Sequence, residues 1–197
     1  MTPLPGEEVL DASGCVVYPG WVNTHHHLFQ SVLKAVPEGI NEPLFGWLGA
    51  VPYPRLTRIK DTHLETAATV GLVELLLSGT TTCADHHYLY YPGLDSEMAD
   101  VLFEVADRLG MRLVLCRGGA TEFGRHPGYP NDMAQESLDD IVATCKGWPN
   151  VITRRRRVRC GRLSWPDNAH FFGQPGCSER VGGCRAQYGR ALAHASI

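Results

Sequence analysis

Pro19-Gly20-Trp21-Val22-Asn23-Thr24-His25-His26-His27 is the stretch that decides the fold of this 197-residue chain. Pro-Gly signals a turn, Trp-Val-Asn-Thr reads as a short strand, and the three histidines stand at its C-terminal end. Side chains alternate across a strand, so His25 and His27 point to one side and His26, the structural one of the three, to the other. Two neutral imidazoles on one side suit a metal ion.

Upstream, residues 1–14 are a short acidic lead-in, and Cys15-Val16-Val17-Tyr18 is an apolar β-branched run expected to form a strand before the turn. Downstream, Leu28, Val32, Leu33 and Val36 have helical spacing, ended by Pro37. Residues 37–60 are Pro-rich and irregular, with a short apolar turn at 44–48. A loop of that length inside a compact domain is more often functional than not. Thr62-His63-Leu64-Glu65 fits a capping box, and the helix after it is apolar nearly all round, which predicts burial on all sides up to a cap at Gly79.

Thr80-Thr81-Thr82-Cys83-Ala84 is a second strand, ending in Asp85-His86-His87. Met98, Val101, Leu102, Val105, Ala106 and Leu109 mark an amphipathic helix before Gly110, Met111 to Cys116 a third strand, and residues from about 135 to 146 a further helix. Strand and helix in alternation predict right-handed parallel βα units, with chemistry at the C-terminal strand ends. His25 and His27, Asp85 to His87, and Arg117 all fall at such ends, so three polar clusters converge on one rim.

Composition sets bounds on class. With 44% hydrophobic and 20% charged residues the chain is globular rather than disordered. It has no apolar run of about eighteen residues and no basic, then apolar, leader, so neither a membrane span nor a signal peptide is expected and the reading is cytoplasmic. Seven cysteines without paired spacing point to reduced thiols. Charge is uneven: residues 1–150 hold nine Lys/Arg against nineteen Asp/Glu, and residues 151–197 hold nine Arg against two acids.

Two stretches together carry a resemblance: Pro-Gly-Trp-Val-Asn-Thr-His-His-His-Leu-Phe-Gln at 19–30, and Leu-Leu-Leu-Ser-Gly-Thr-Thr-Thr-Cys-Ala-Asp-His-His at 75–87. They resemble the amidohydrolase superfamily, in the branch of the 8-oxoguanine deaminases and the hydroxydechloroatrazine-type aminohydrolases, over roughly residues 8–150. The resemblance implies an α/β fold, a (β/α)8 TIM-type barrel of which this chain holds about three βα units. It also implies one divalent metal, zinc before iron, held by the His-x-His of strand one, by histidines after strands five and six and by an aspartate after strand eight, with a proton-shuttling glutamate near strand five. Only His25 and His27 match that set, and the expected glutamate base has no counterpart here. Such a metal would acidify a water so that hydroxide attacks an amidine-like ring carbon, which then sheds ammonia, an amine or chloride.

The remaining candidates are substrate contacts. Gln30 matches the Gln of the family's His-x-His-Leu-x-Gln, which touches the substrate ring, against the alternative of plain helix polarity. Trp47 could stack on a heteroaromatic ring or fill core. His86 could add a polar contact or hold a rim loop. Arg117 could offer its fork to a ring carbonyl or pair with Glu122.

Residues 151–197 break the pattern. Val151-Ile152 begins a fourth strand, Arg154-Arg155-Arg156-Arg157 interrupts it, and the rest has neither strand nor helix period. The domain reading is therefore a β-sandwich remnant at 1–18, the first part of a metal-dependent hydrolase barrel at 19–150, and an irregular basic tail at 151–197. Out-of-frame translation is the favoured account of the tail, ahead of a disordered extension or a basic binding segment. The expected activity is hydrolysis of C–N bonds in a nitrogen heterocycle such as 8-oxoguanine or a hydroxytriazine. The competing reading is a catalytically incomplete fragment or a non-enzymatic basic-tail protein. Partners are a small heterocycle, no membrane and no clear nucleic-acid motif, with self-association left open.

Overall fold

In a computed structural model of the chain the described residues are 4–90, 98–118 and the isolated positions 137, 139, 140 and 143. Three strands, β1 (Trp21–His26), β2 (Thr80–His87) and β3 (Arg112–Arg117), form one parallel sheet in the order β1-β2-β3. Three helices are described in full: α1 (Leu44–Ala50), α2 (Asp61–Leu77) and α3 (Met98–Leu109). Parallel neighbours joined by α2 and α3 are the expected βα units, and all three strands end on the same rim.

Burial alternates along β2. Cys83, Asp85 and His87 are buried, while Thr82, Ala84 and His86 between them are partly exposed. The buried set faces the helical layer, where Leu28, Phe29, Leu64, Leu72, Leu102, Leu113 and Leu115 make a continuous core. The Gly79 cap is in place, with φ of +85° and its N–H on Leu76 C=O, and Gly79 C=O in turn takes the Trp21 N–H that starts β1. The end of α2 thus sets where the first strand begins.

Four expectations are corrected. Residues 15–18 form no strand; Val16, Val17 and Tyr18 lie exposed with no neighbouring strand among the described residues, and β-propensity without a partner does not make a strand. The helix expected over 28–36 is a 3-10 helix at Leu28–Leu33, because Gln30 N–H closes an i to i−3 turn on His27 C=O and the chain turns at Ala35, whose φ is +58°. The α2 cap lies two residues earlier than the Thr62 box: Lys60 is the N-cap, and its N–H donates to His63 Nδ1 at 3.1 Å. Nor is α2 buried all round, since Val70 is 40% and Leu77 84% exposed. An all-apolar helix carries no face preference in its sequence, so the packing of one side only had no signal.

Residues 37–60, expected to be irregular, contain α1 and short 3-10 turns at Pro37–Gly39 and Tyr53–Arg58. Cys15 and Cys83 are free thiols, and burial pushes Cys83 up to about 12. Among the described residues no helix is long and apolar enough to cross a membrane. The helix expected at 135–146 falls largely outside the described residues, and Glu122 and the tail from 151 wholly so.

Candidate metal centre

The two histidines named from strand alternation meet. His25 Nε2 and His27 Nε2 are 3.2 Å apart, and the rings stand edge to face at 84°. The end of β1 is not a regular strand: pairing with β2 slips between Asn23 and His26, and Asn23 Oδ1 takes the His25 N–H at 2.9 Å. This local bend brings neighbouring same-side rings to their shared point.

The tautomer of His27 is fixed from β2. Its Nδ1–H donates to the His86 carbonyl at 2.7 Å, which leaves Nε2 bare and pointed at His25. Burial holds this imidazole at about 4, well below its ordinary value, so it is neutral at pH 7. With both Nε2 atoms within hydrogen-bond reach and His27 Nε2 an acceptor, His25 is the donor in the metal-free protein. A divalent cation requires two lone pairs turned toward one point, which His27 Nε2 already offers and His25 Nε2 would offer in its Nδ1–H tautomer. Among the described residues no group of three or more His, Cys, Asp or Glu side chains gathers as a metal site.

Around the pair, His86 stacks on His25 with centroids 4.4 Å apart and planes 22° from parallel, and its Nε2–H donates to Thr24 C=O at 3.1 Å. Tyr88 stands edge-on to His27 at 5.2 Å, and its hydroxyl receives a hydrogen bond from Gln30 Nε2 at 2.5 Å. A cavity of about 500 Å³ opens beside them, walled by His25, His27, Gln30, Lys34 and Trp47. Gln30 and Trp47 therefore share a chamber with the histidine pair, as a ring-binding role would need.

Arg117 is elsewhere. It is 2% exposed, aligned with His87 on the opposite face of the sheet from His86, with its guanidinium 3.8 Å over the Tyr90 ring and Nη1 donating to Gly118 C=O at 2.6 Å. In this arrangement it braces the loop after β2 and does not wall the cavity.

Sequence reasoning placed Asp85 in the rim cluster without a part of its own, and it did not single out Tyr88. Asp85 is fully buried, and its Oδ1 accepts the Leu28 N–H at 2.8 Å, stitching the residue after His27 to β2. Burial lifts its carboxyl to about 7 against the lowering effect of that bond. His87 lies nearby, with Nδ1 3.8 Å from Asp85 Oδ2, but burial and the adjacent Arg117 hold it at about 3, so it is neutral and no ion pair forms. The signal available was the period of two: in a strand whose outer face carries His86, Asp85 and His87 must turn into the core.

Comparison with known proteins then decides the family. The profile of the Amidohydrolase family matches residues 16–154. The chain belongs to the amidohydrolase family. It is 47% identical over 144 residues to an isoxanthopterin deaminase of an unknown prokaryote and 43% identical over 139 residues to the 8-oxoguanine deaminase of Pseudomonas aeruginosa. Those matches cover 73% and 71% of this amidohydrolase chain and 30% of each relative, so the chain spans about a third of their length. Among solved structures it is similar to an amidohydrolase from a Sargasso Sea environmental sample, with a TM-score of 0.71 and 35% identity over 96% of this chain and 41% of that one. The zinc complex of an atrazine chlorohydrolase from Arthrobacter aurescens matches with a TM-score of 0.67 and 25% identity, over 86% and 38%.

Proposed function

We propose that this amidohydrolase chain is the part of a metal-dependent deaminase that carries the first two metal ligands, His25 and His27, and that the whole protein acts on C–N bonds of a nitrogen heterocycle. The observation that carries the reading is the convergence of two Nε2 atoms, one of them held bare by the His86 carbonyl. When bound, a divalent ion supplies a water acidic enough to give hydroxide near neutral pH. Zinc is the first expectation, on the zinc in the chlorohydrolase relative, and iron the second.

The chain's own residues do the rest. His25 and His27 would hold the ion through their Nε2 atoms, Gln30, its amide on the Tyr88 hydroxyl, would line the substrate chamber, and Trp47 would offer an aromatic face for a flat ring. The substrate class is a fused or triazine-like ring with an exocyclic amine, as in the substrates that the relatives' names give: isoxanthopterin, 8-oxoguanine and hydroxydechloroatrazine.

On this reading residues 19–150 are about three βα units of a (β/α)8 barrel, and residues 151–197 are an out-of-frame tail, supported by a family match that ends at 154 and by the charge reversal there. A second reading rests on ligand count. Two histidines fall short of the three protein ligands of a catalytic zinc site, so the chain by itself binds metal and turns over poorly until further ligands are supplied. Purified chain loaded with zinc and offered 8-oxoguanine, isoxanthopterin or a hydroxytriazine separates these. Robust zinc-dependent ammonia release supports the deaminase and overturns the incomplete-site reading. Stoichiometric zinc with little turnover supports incompleteness, and release that ignores chelation overturns the metal mechanism.

A further inference from the structure

Two consecutive residues at the end of β2 hold the end of β1 and the turn after it: Asp85 through the Leu28 N–H, and His86 through both histidines of the pair. The His86 carbonyl takes the His27 Nδ1–H at 2.7 Å, its ring lies nearly parallel on His25 at 4.4 Å, and its Nε2–H ties back to Thr24 C=O at 3.1 Å. A substrate-contact role alone does not explain that arrangement. The ring is packed against a ligand rather than held out into the cavity, and His86 does not wall the chamber that Gln30 and Trp47 share.

We propose that His86 is a positioning residue for metal binding, setting the tautomer of His27 through its main chain and the plane of His25 through its side chain. The inference rests on the metal reading of His25 and His27. Its physical logic is preorganisation. An imidazole free to rotate about its two side-chain torsions must be ordered by the metal itself, whereas one sandwiched against a fixed ring is ordered beforehand, and the difference appears in affinity. His27 needs no such help from a side chain, because a main-chain carbonyl already fixes it and substitution at 86 leaves that carbonyl in place. The asymmetry makes the prediction specific: side-chain changes at 86 act on His25.

The two contributions of the His86 side chain can be separated. His86→Gln keeps a donor for Thr24 and removes the ring; His86→Phe keeps a ring on His25 and removes the donor. Cobalt(II) is the probe, added to the full chain, with affinity read by competition against a chelator and geometry by the visible d–d bands. Folding of each variant is checked by circular dichroism.

The expected result is that His86→Gln weakens cobalt binding tenfold or more and broadens or shifts the bands, in the range usual for lost supports of metal ligands, while His86→Phe restores affinity to within about threefold. His86→Gln binding cobalt within twofold of the unsubstituted chain with an unchanged spectrum overturns the inference. So does His86→Phe being as weak as His86→Gln, because the Thr24 bond rather than the stack would then matter. His25→Ala and His27→Ala are the controls. Cobalt uptake that ignores both, or no uptake by the unsubstituted chain, refutes the metal reading beneath the inference; uptake that needs both histidines but not the ring at 86 refutes the inference alone.

Discussion

Asp85 offers a sharp energetic test of how β2 supports the end of β1. The side chain is fully buried, Oδ1 accepts the Leu28 N–H at 2.8 Å, and Oδ2 has no hydrogen-bond partner among the described residues. Burial lifts the carboxyl from 3.8 to about 7. At roughly 1.4 kcal/mol for each pH unit between folded and unfolded values, ionising it in the folded chain costs on the order of 4 kcal/mol. The raised value fixes the sign. The unfolded chain releases this proton near pH 4 and the folded chain near 7, so the contribution is whole below about pH 4 and lost as pH rises through 7.

Asp85→Asn keeps a carbonyl oxygen for Leu28 and cannot ionise. Relative to the natural chain it should be more stable by only about 1 kcal/mol at pH 4.5 and by several kcal/mol at pH 8. Asp85→Ala leaves a buried N–H without an acceptor and should lose about 1–3 kcal/mol relative to the Asn variant at either pH. Urea unfolding of the three proteins at both pH values reads this directly, and taking differences between variants removes every other titrating group. A difference between Asp and Asn that does not change with pH, or an Asn variant less stable than the natural chain at pH 8, refutes the reasoning.

Other perturbations probe the same junction. Gly71 of α2 lies where the helix meets the first strand: a Cβ there would sit 2.6 Å from Ser31 Oγ, 2.9 Å from Leu28 Cδ2 and 3.4 Å from His26 Cε1. Gly71→Ala should therefore destabilise by about 1–3 kcal/mol despite alanine's better helix propensity, and an unchanged or raised Tm contradicts it. His87 titrates in the opposite sense to Asp85. Its folded value is depressed to about 3, so its contribution is full above pH 6.5 and falls as pH drops toward 3. Neither ring nitrogen has a hydrogen-bond partner among the described residues, so His87→Leu should be tolerated near neutrality and gain on the natural chain by roughly 2–3 kcal/mol at pH 4.5, read by urea midpoints. Tyr88→Phe removes the acceptor of the Gln30 amide and should cost about 0.5–1.5 kcal/mol in the same assay while leaving the His27 ring packed.

Much of this was legible in the chain because periodicity survives translation into structure. β1, β2, β3, α2 and α3 stand within a few residues of where apolar spacing and glycine caps put them, and alternation alone sent His25 and His27 to one side. What was not legible depended on partners distant in sequence. The run at 15–18 has strand composition and no strand beside it. The cap of α2 moved to Lys60 because His63 reached back, a bond that a search for Ser or Thr does not find. His86 and Asp85 act on residues 57 to 62 positions away, through one carbonyl and one buried carboxylate. Alternation sets Asp85 and His87 apart from His86, but Asp-His-His taken alone does not say which of the two sets turns into the core. The cavity shared by Gln30 and Trp47 likewise joins β1, the 3-10 turn after it and α1, and no one of those stretches signals it.

His25 and His27 are proposed to hold one divalent metal between them. Zinc content per chain after loading and exhaustive dialysis tests it most directly, measured for the natural sequence, His25→Ala and His27→Ala. Zinc should be retained near one equivalent by the natural chain and lost by each variant at unchanged circular dichroism. Zinc absent from the natural chain, or retained equally by the two variants, would contradict it.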